Sequence, residues 1–487
     1  MPAVRLLSKL LALLLCAAAG LCACVPLSAA AEPIQLPEIG DVSGAIVSPA
    51  EERDLGDKII RAVHAGLPIS SDPAMKYFTE QLLVELAAAS ELSNRELRVV
   101  VVESPVLNAF AAPGNVVAVN LGLFVQAQSV HELSAVLAHE LAHLSQRHYA
   151  RGVEYQRKAT LPYLAAMLAS IALMATVGGD AGLAALSSTQ AAAQDSSLRF
   201  SRTREQEADR VGIETLNRAG LDAYAMATMF ERLAAGNRGR EQVPEFLLTH
   251  PVTESRISDA RNQASGIPHR SHLDRDDYQF ARCRARVRMA PAADAVVLQM
   301  RELLSAQPSL PAAEYCLALA LGRANANDEA MQHLAVLKTR LPDNIYVNLL
   351  NIELLLAGDN VNAALALAEH QLRRNPDNEP LALYYAQAQS KSRRHLDAVR
   401  VLQRQAQLHP NDPDIWYELA EESGLAGEIR TLHMARAEYF QLVGQFDESL
   451  KQLEYAERIA DSDPRQKARI WQRTLDIRAM KERLGGS

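Results

Sequence analysis

The run AVLAHELAHLSQRHYA, residues 135–150, contains His139, Glu140 and His143. Residues four apart on an α-helix share one face about a turn from each other, so His139 and His143 can aim two imidazoles at one point. That is the geometry of a pair of metal ligands. Glu140 sits one step round from His139 and can reach a water at that point without coordinating, which is where a general base must stand. Leu133, Val136, Leu137, Leu141 and Leu144 fall on the opposite face, predicting a helix from about Val130 to Ala150 backed on the core. His148 falls roughly half a turn away from His139 and His131 lies two turns before it, so both read as surface residues.

A catalytic zinc needs a third protein ligand and one open position. The candidate lies 62 residues after His143, in SRTREQEADRVGIETLNRAG. The pattern predicts a helix capped near Ser201 or Thr203 and ended by Gly220. Glu205 and Asp209 are four apart on one face, and Ala208 and Gly212 beside them leave room for close approach to the first helix. Glu205 reads as the third ligand of one Zn²⁺ per chain. Asp209 reads as the second catalytic candidate beside Glu140, either orienting a ligand or donating a proton. Glu207 is about 200° round from Glu205 and is excluded from the ligand set.

The elements that must position these groups are α-rich with a small β component. LRVVVVE (97–103) and NVVAVNLGLF (115–124), the second following the turn signal Ala112-Pro113-Gly114, predict two strands of a small sheet. NVVAVN is expected at the edge of the cleft, where it could hold an extended peptide by β-addition. From about 275 the chain is almost purely helical. Pro308, Pro342, Pro376 and Pro410 recur every 34 residues, the length of the tetratricopeptide repeat. Such repeats stack into an α-solenoid whose concave face binds other chains. GQFDESLKQLEYAERIA (444–460) reads as a further repeat, displaced by an irregular insertion around EESGLAGEIRTLHMA. The expected organisation is a signal peptide over 1–31, a metallopeptidase domain over 45–272 and a repeat domain over 275–487.

HExxH followed by E-x-x-A-D-R resembles the signature of the HtpX-like gluzincin metallopeptidases, a family that includes the CAAX prenyl proteases. NAFAAPGNVVAVNLGLF (108–124) is similar to that family's strand before the zinc helix, and HPVTESR (250–256) to its H-P-x-x-x-x-R element. The resemblance covers roughly residues 45–270. It implies a mainly helical gluzincin domain with a small sheet, zinc held by His139, His143 and Glu205, and Glu140 as the catalytic glutamate. His250 could polarise the oxyanion, occupy the open metal position as a fourth ligand, or be structural.

The first residues carry Arg5 and Lys9, an apolar run and the small-residue ending Ala29-Ala30-Ala31, the pattern of a secretory signal peptide. A membrane anchor and a lipidated Cys24 are the alternatives. Cys16, Cys22 and Cys24 would leave with the signal, so Cys283 and Cys316 remain, as one disulfide or two separate thiols. The net charge of −8, without a Lys/Arg-dense face, argues against nucleic acid as a partner. LPYLAAMLASIALMATV (161–177) is at the lower limit for a span and reads rather as a flap over the cleft or a peripheral membrane contact.

A signal peptide, this peptidase and a repeat array together resemble a family of Gram-negative periplasmic proteases with a chaperone-like role. That resemblance implies misfolded or stalled outer-membrane proteins as substrates and contact with the β-barrel assembly machinery. The expected activity is zinc-dependent endoproteolysis. The rival is a scaffold or chaperone whose repeats bind assembly partners and whose metal site is latent.

Overall fold

Helix α1 (Pro49–Gly66) starts on a reciprocal cap: the Glu51 N–H donates to Ser48 Oγ, and the Ser48 N–H donates to the Glu51 carboxylate at 2.7 Å. In this computed structural model the described residues are 47–155, 202–237, 245–268, 273–308, 310–460 and 463–485. The expected signal peptide and the expected flap over 161–177 lie outside them. No described helix is long and apolar enough to cross a membrane. Helix α2 (Pro73–Ala89) is capped by Asp72, which accepts from the N–H groups of Ala74 and Met75. It buries Phe78, Leu82, Leu83 and Leu86.

Among the described residues the sheet has three strands, not two. β1 (Arg98–Val102) runs parallel to β3 (Val116–Asn120), and β2 (Ala109–Ala112) pairs antiparallel with β3 on its other side. The order β1-β3-β2 makes NVVAVN the central, wholly buried strand. Both of its edges are taken, so it cannot receive a peptide, and the expected edge position falls to β2 instead. That strand escaped the sequence reading because Ala-Phe-Ala-Ala has no alternation and little β-propensity. Its pairing is set by the turn behind it, where Gly114 and Asn115 stand at φ 76° and 61°. A side chain on Gly114 would also come within 2.7 Å of the Gly56 Cα in α1.

After α3 (Leu121–Gln126), helix α4 (Val130–Ser145) buries every residue from Val130 to His143. It is an interior helix, walled on all sides, which is why His131 is buried rather than on the surface. The helix also ends five residues earlier than expected. Arg147 takes a left-handed φ of 48°, the chain reverses, and α5 (His148–Tyr155) begins on a new axis. Helix α6 (Arg202–Arg218) lies along α4 at close range: a Cβ on Gly212 would meet the His139 backbone nitrogen at 3.2 Å, and Ala208 packs against Ala142. Helices α7 (Ala225–Asn237), α8 (Glu245–Thr249) and α9 (Glu254–Ser265) complete this part.

Helix α10 (Asp276–Met289) and Ala293–Ala306 open the helical array. First helices then start at Pro311, Ile345, Glu379 and Pro413, a strict 34-residue period. Each turn inside a pair has a left-handed residue at the same place: Asn325, Asp359, Arg393 and Gly427. The stretch EESGLAGEIRTLHMA displaces the register as expected: Pro413–Leu425 leads into Ile429–Leu442 through the turn at Gly427, and a second turn of the same kind follows at Gly444 (φ 82°), so Phe446–Ile459 stands in the place of a second helix directly after Ile429–Leu442, with Pro464–Leu484 packed behind it. Cys283 and Cys316 form a disulfide with Cα atoms 5.4 Å apart. They are 33 residues apart, close to one period, so stacking of α10 on Pro311–Arg323 brings them side by side.

The array does not stand apart from the sheet and α4. One hydrophobic core includes Phe78, Leu137, Tyr278, Tyr315, Leu350 and Leu381. Buried Arg284 bonds Asp72 at 2.6 Å, the Tyr315 hydroxyl at 3.0 Å and Glu353 at 2.8 Å. Farther along, Arg61 of α1 donates to the Gln441 carbonyl at 2.9 Å, tying the last repeats to the first helix.

Candidate metal centre

Helix α4 supplies His139, Glu140 and His143, α6 supplies Glu205, and His250 follows α8 with its N–H on the Phe246 carbonyl. One donor atom from each of His139, His143, Glu205 and His250 lies within 4.8 Å of the others, and all four residues are buried. The Nε2 atoms of His139 and His143 are 3.0 Å apart. Glu205 places Oε2 3.5 Å from His139 Nε2 and Oε1 3.5 Å from His143 Nε2. His250 Nδ1 is 3.3 Å from His139 Nε2 and 3.1 Å from Glu205 Oε2. Three imidazoles and a carboxylate converging below the surface are a donor set that fits a borderline-soft divalent cation such as zinc.

The charge around this set is arranged to keep its acids ionised. Burial alone would push Glu205 up, but His250 and His139 outweigh it and hold the carboxyl well below its usual range. Asp209 Oδ1 is 2.8 Å from His139 Nδ1. Arg256 of α9 closes behind it, with Nε and Nη2 each 2.7 Å from an Asp209 oxygen and Nη1 3.0 Å from Glu205. Against the pull of burial, those contacts hold Asp209 low as well. The Arg256 guanidinium also lies 4.8 Å over the Phe230 ring. Burial and the neighbouring His139 keep His143 well below the ordinary imidazole range, hence neutral and able to offer a lone pair.

Glu140 belongs to the same pocket with its own support. The Ala111 N–H of β2 donates to Glu140 Oε2 at 3.0 Å, and His250 Nε2 is 3.5 Å from Oε1. Burial raises this carboxyl above its ordinary value, with His250 and His139 opposing. A carboxylate so placed can take and return a proton.

The structure brings His139, Glu140, His143, Glu205, Asp209 and His250 together in one site. It corrects the placement of His148, which is fully buried with Nδ1 2.7 Å from His143 Nδ1, because the reversal at Arg147 defeats extrapolation of the helical wheel. His131 is buried under α7, taking the Asp222 N–H at 3.4 Å. Sequence reasoning also missed the roles of Ala111 and Arg256. Arg256 had a signal, since an acid at 209 inside a close helix contact needs a countercharge. Ala111, acting through its backbone, had none.

This fold and site define a metalloprotease: residues 77–264 match Peptidase family M48. The chain is 33% identical over 468 residues to the beta-barrel assembly-enhancing protease of Yersinia pestis, covering 94% of this chain and 96% of that protein. The protease of the same name from Escherichia coli K12 is 31% identical, with 92% of each chain covered. A mitochondrial metalloendopeptidase OMA1 from Schizosaccharomyces pombe is 30% identical over 42% of this chain and 55% of its own. The chain therefore belongs to peptidase family M48, in the group of beta-barrel assembly-enhancing proteases.

Proposed function

We propose that this chain is a periplasmic zinc endopeptidase that cuts misfolded or stalled outer-membrane proteins and holds clients or assembly partners through its repeats. The observation that carries the catalytic reading is the position of Glu140, fixed at Oε2 by Ala111 and facing the donors of His139, His143 and Glu205. His139, His143 and Glu205 would hold a zinc ion, which would supply the Lewis acidity that makes a water acidic near neutral pH. Glu140 takes the water's proton on its carboxylate and passes it to the leaving amine. Its raised affinity for protons suits both transfers.

The remaining residues position this exchange. Asp209 accepts from His139 Nδ1–H, which leaves the Nε2 lone pair for the metal; a carboxylate gripped by Arg256 has no proton to donate, so orientation is its role. His250 stands where it would complete the donor set as a fourth ligand. An extended chain adds alongside β2, the outer strand of the described sheet that touches Glu140, and main-chain pairing gives grip with little sequence demand. The outer-membrane clients, the contact with a barrel-assembly machinery and the periplasmic setting draw support from the names of the relatives. Residues 45–272 form the peptidase part and 275–487 the repeat part in this reading.

The test compares cleavage of an unfolded casein-like substrate by wild type, Glu140→Gln and metal-stripped protein, with zinc restored to the last. Cleavage by wild type alone, recovered on zinc addition, is expected. Equal rates in all three, or no cleavage in any, would favour a scaffold with a latent site.

A further inference from the structure

His143 Nδ1 and His148 Nδ1 are 2.7 Å apart, a separation that requires one N–H between them. The other His148 nitrogen, Nε2, is 3.0 Å from Glu207 Oε2, and Arg151 Nη1 reaches the same oxygen at 3.1 Å. A carboxylate paired with arginine is an acceptor only, so His148 Nε2 carries a hydrogen. Neutral His148 then presents a bare Nδ1, and the shared hydrogen belongs to His143 Nδ1. The His143 lone pair is thereby left on Nε2, the atom that faces His139 and Glu205.

We propose that His148 is a positioning residue for the metal ligand His143, passing the orienting effect of Glu207 inward to fix the ring and its tautomer. This rests on the reading of His143 as a ligand. The two imidazoles of α4 are then anchored by the same helix in two ways: Asp209 holds His139 directly, and Glu207, two residues earlier on α6, holds His143 through His148. The backbone supports the assignment independently. Arg147 adopts a left-handed φ, unusual for a long side chain, and is tied by Nη2 to the Val47 carbonyl at 3.0 Å and to Glu52 at 3.1 Å. That turn is what returns His148 to its place behind His143.

Zinc affinity of the full-length protein, measured by chelator competition, tests the proposal, together with the visible spectrum of the cobalt-substituted protein. His148→Leu is expected to weaken zinc binding 10- to 100-fold and to shift the cobalt bands. His148→Asn, whose amide oxygen can accept from His143 Nδ1–H, recovers most of the affinity, which a space-filling role would not predict. Glu207→Leu, at a partly exposed side chain that spares the core, weakens binding in the same direction and reports even if His148→Leu fails to fold. Zinc binding within twofold of wild type in Glu207→Leu, or in folded His148→Leu, overturns the proposal and leaves the metal centre standing. A wild-type protein that binds no zinc overturns both.

Discussion

Arg256 grips Asp209 with two hydrogen bonds of 2.7 Å, and both side chains are almost wholly buried. The same guanidinium reaches Glu205 at 3.0 Å, so one cation neutralises both acids that flank His139. Removing it takes away the main countercharge of buried Asp209 and part of that of Glu205, leaving His139 and His250 as their remaining partners. Arg256→Ala should therefore cost about 3–5 kcal/mol of stability and lower the zinc content of the purified protein. Arg256→Lys should recover little, because a point charge cannot span two carboxylates as a planar fork does. Thermal unfolding and metal analysis of the two variants check this.

His250 stands within reach of the metal donors and of Glu140 at once. Were it to serve as a fourth ligand, as proposed above, it would block the position that substrate and water must use. His250→Ala should then raise the cleavage rate on an unfolded substrate while leaving Glu140 and the three other donors in place. A severalfold fall instead would assign it to stabilising the oxyanion, and an unchanged rate would make it structural.

Cys283 and Cys316 clamp α10 to the first helix of the following pair. Closing a loop of 33 residues removes unfolded-state freedom worth about 3–4 kcal/mol. Cys283→Ser should lose stability of that order, read as a lower denaturant midpoint, and reducing agent should destabilise wild type but not the variant.

Burial raises the Glu80 carboxyl to about 7, with Lys76 opposing and Glu379 reinforcing. A group whose folded pKa lies above its unfolded value stabilises fully below the unfolded pKa, and that contribution is lost as pH rises through the folded one. Wild type should thus lose stability between about pH 4.5 and 7 from this site. Glu80→Gln removes the penalty: it should match wild type near pH 4 and exceed it at pH 8 by about 2 kcal/mol, allowing for partial exposure. Denaturant unfolding at the two pH values decides it.

The amino-acid sequence by itself determined what depends on spacing along one chain axis. Four-residue intervals paired His139 with His143 and Glu205 with Asp209, small residues at 208 and 212 announced a close helix contact, and the 34-residue period located the repeats. Each is local geometry that side-chain type and helical pitch suffice to set. Only the tertiary structure decided what lies across a break or between distant segments. The turn at Arg147 made His148, expected at the surface, a buried partner of His143. The β1-β3-β2 order put an alanine-rich strand with no pattern of its own, in place of NVVAVN, at the outside of the described sheet, and one period of helix stacking joined Cys283 to Cys316. The opening stretch held His139, Glu140 and His143, three residues of the buried cluster, but His148 joins them only because the helix ends before reaching it.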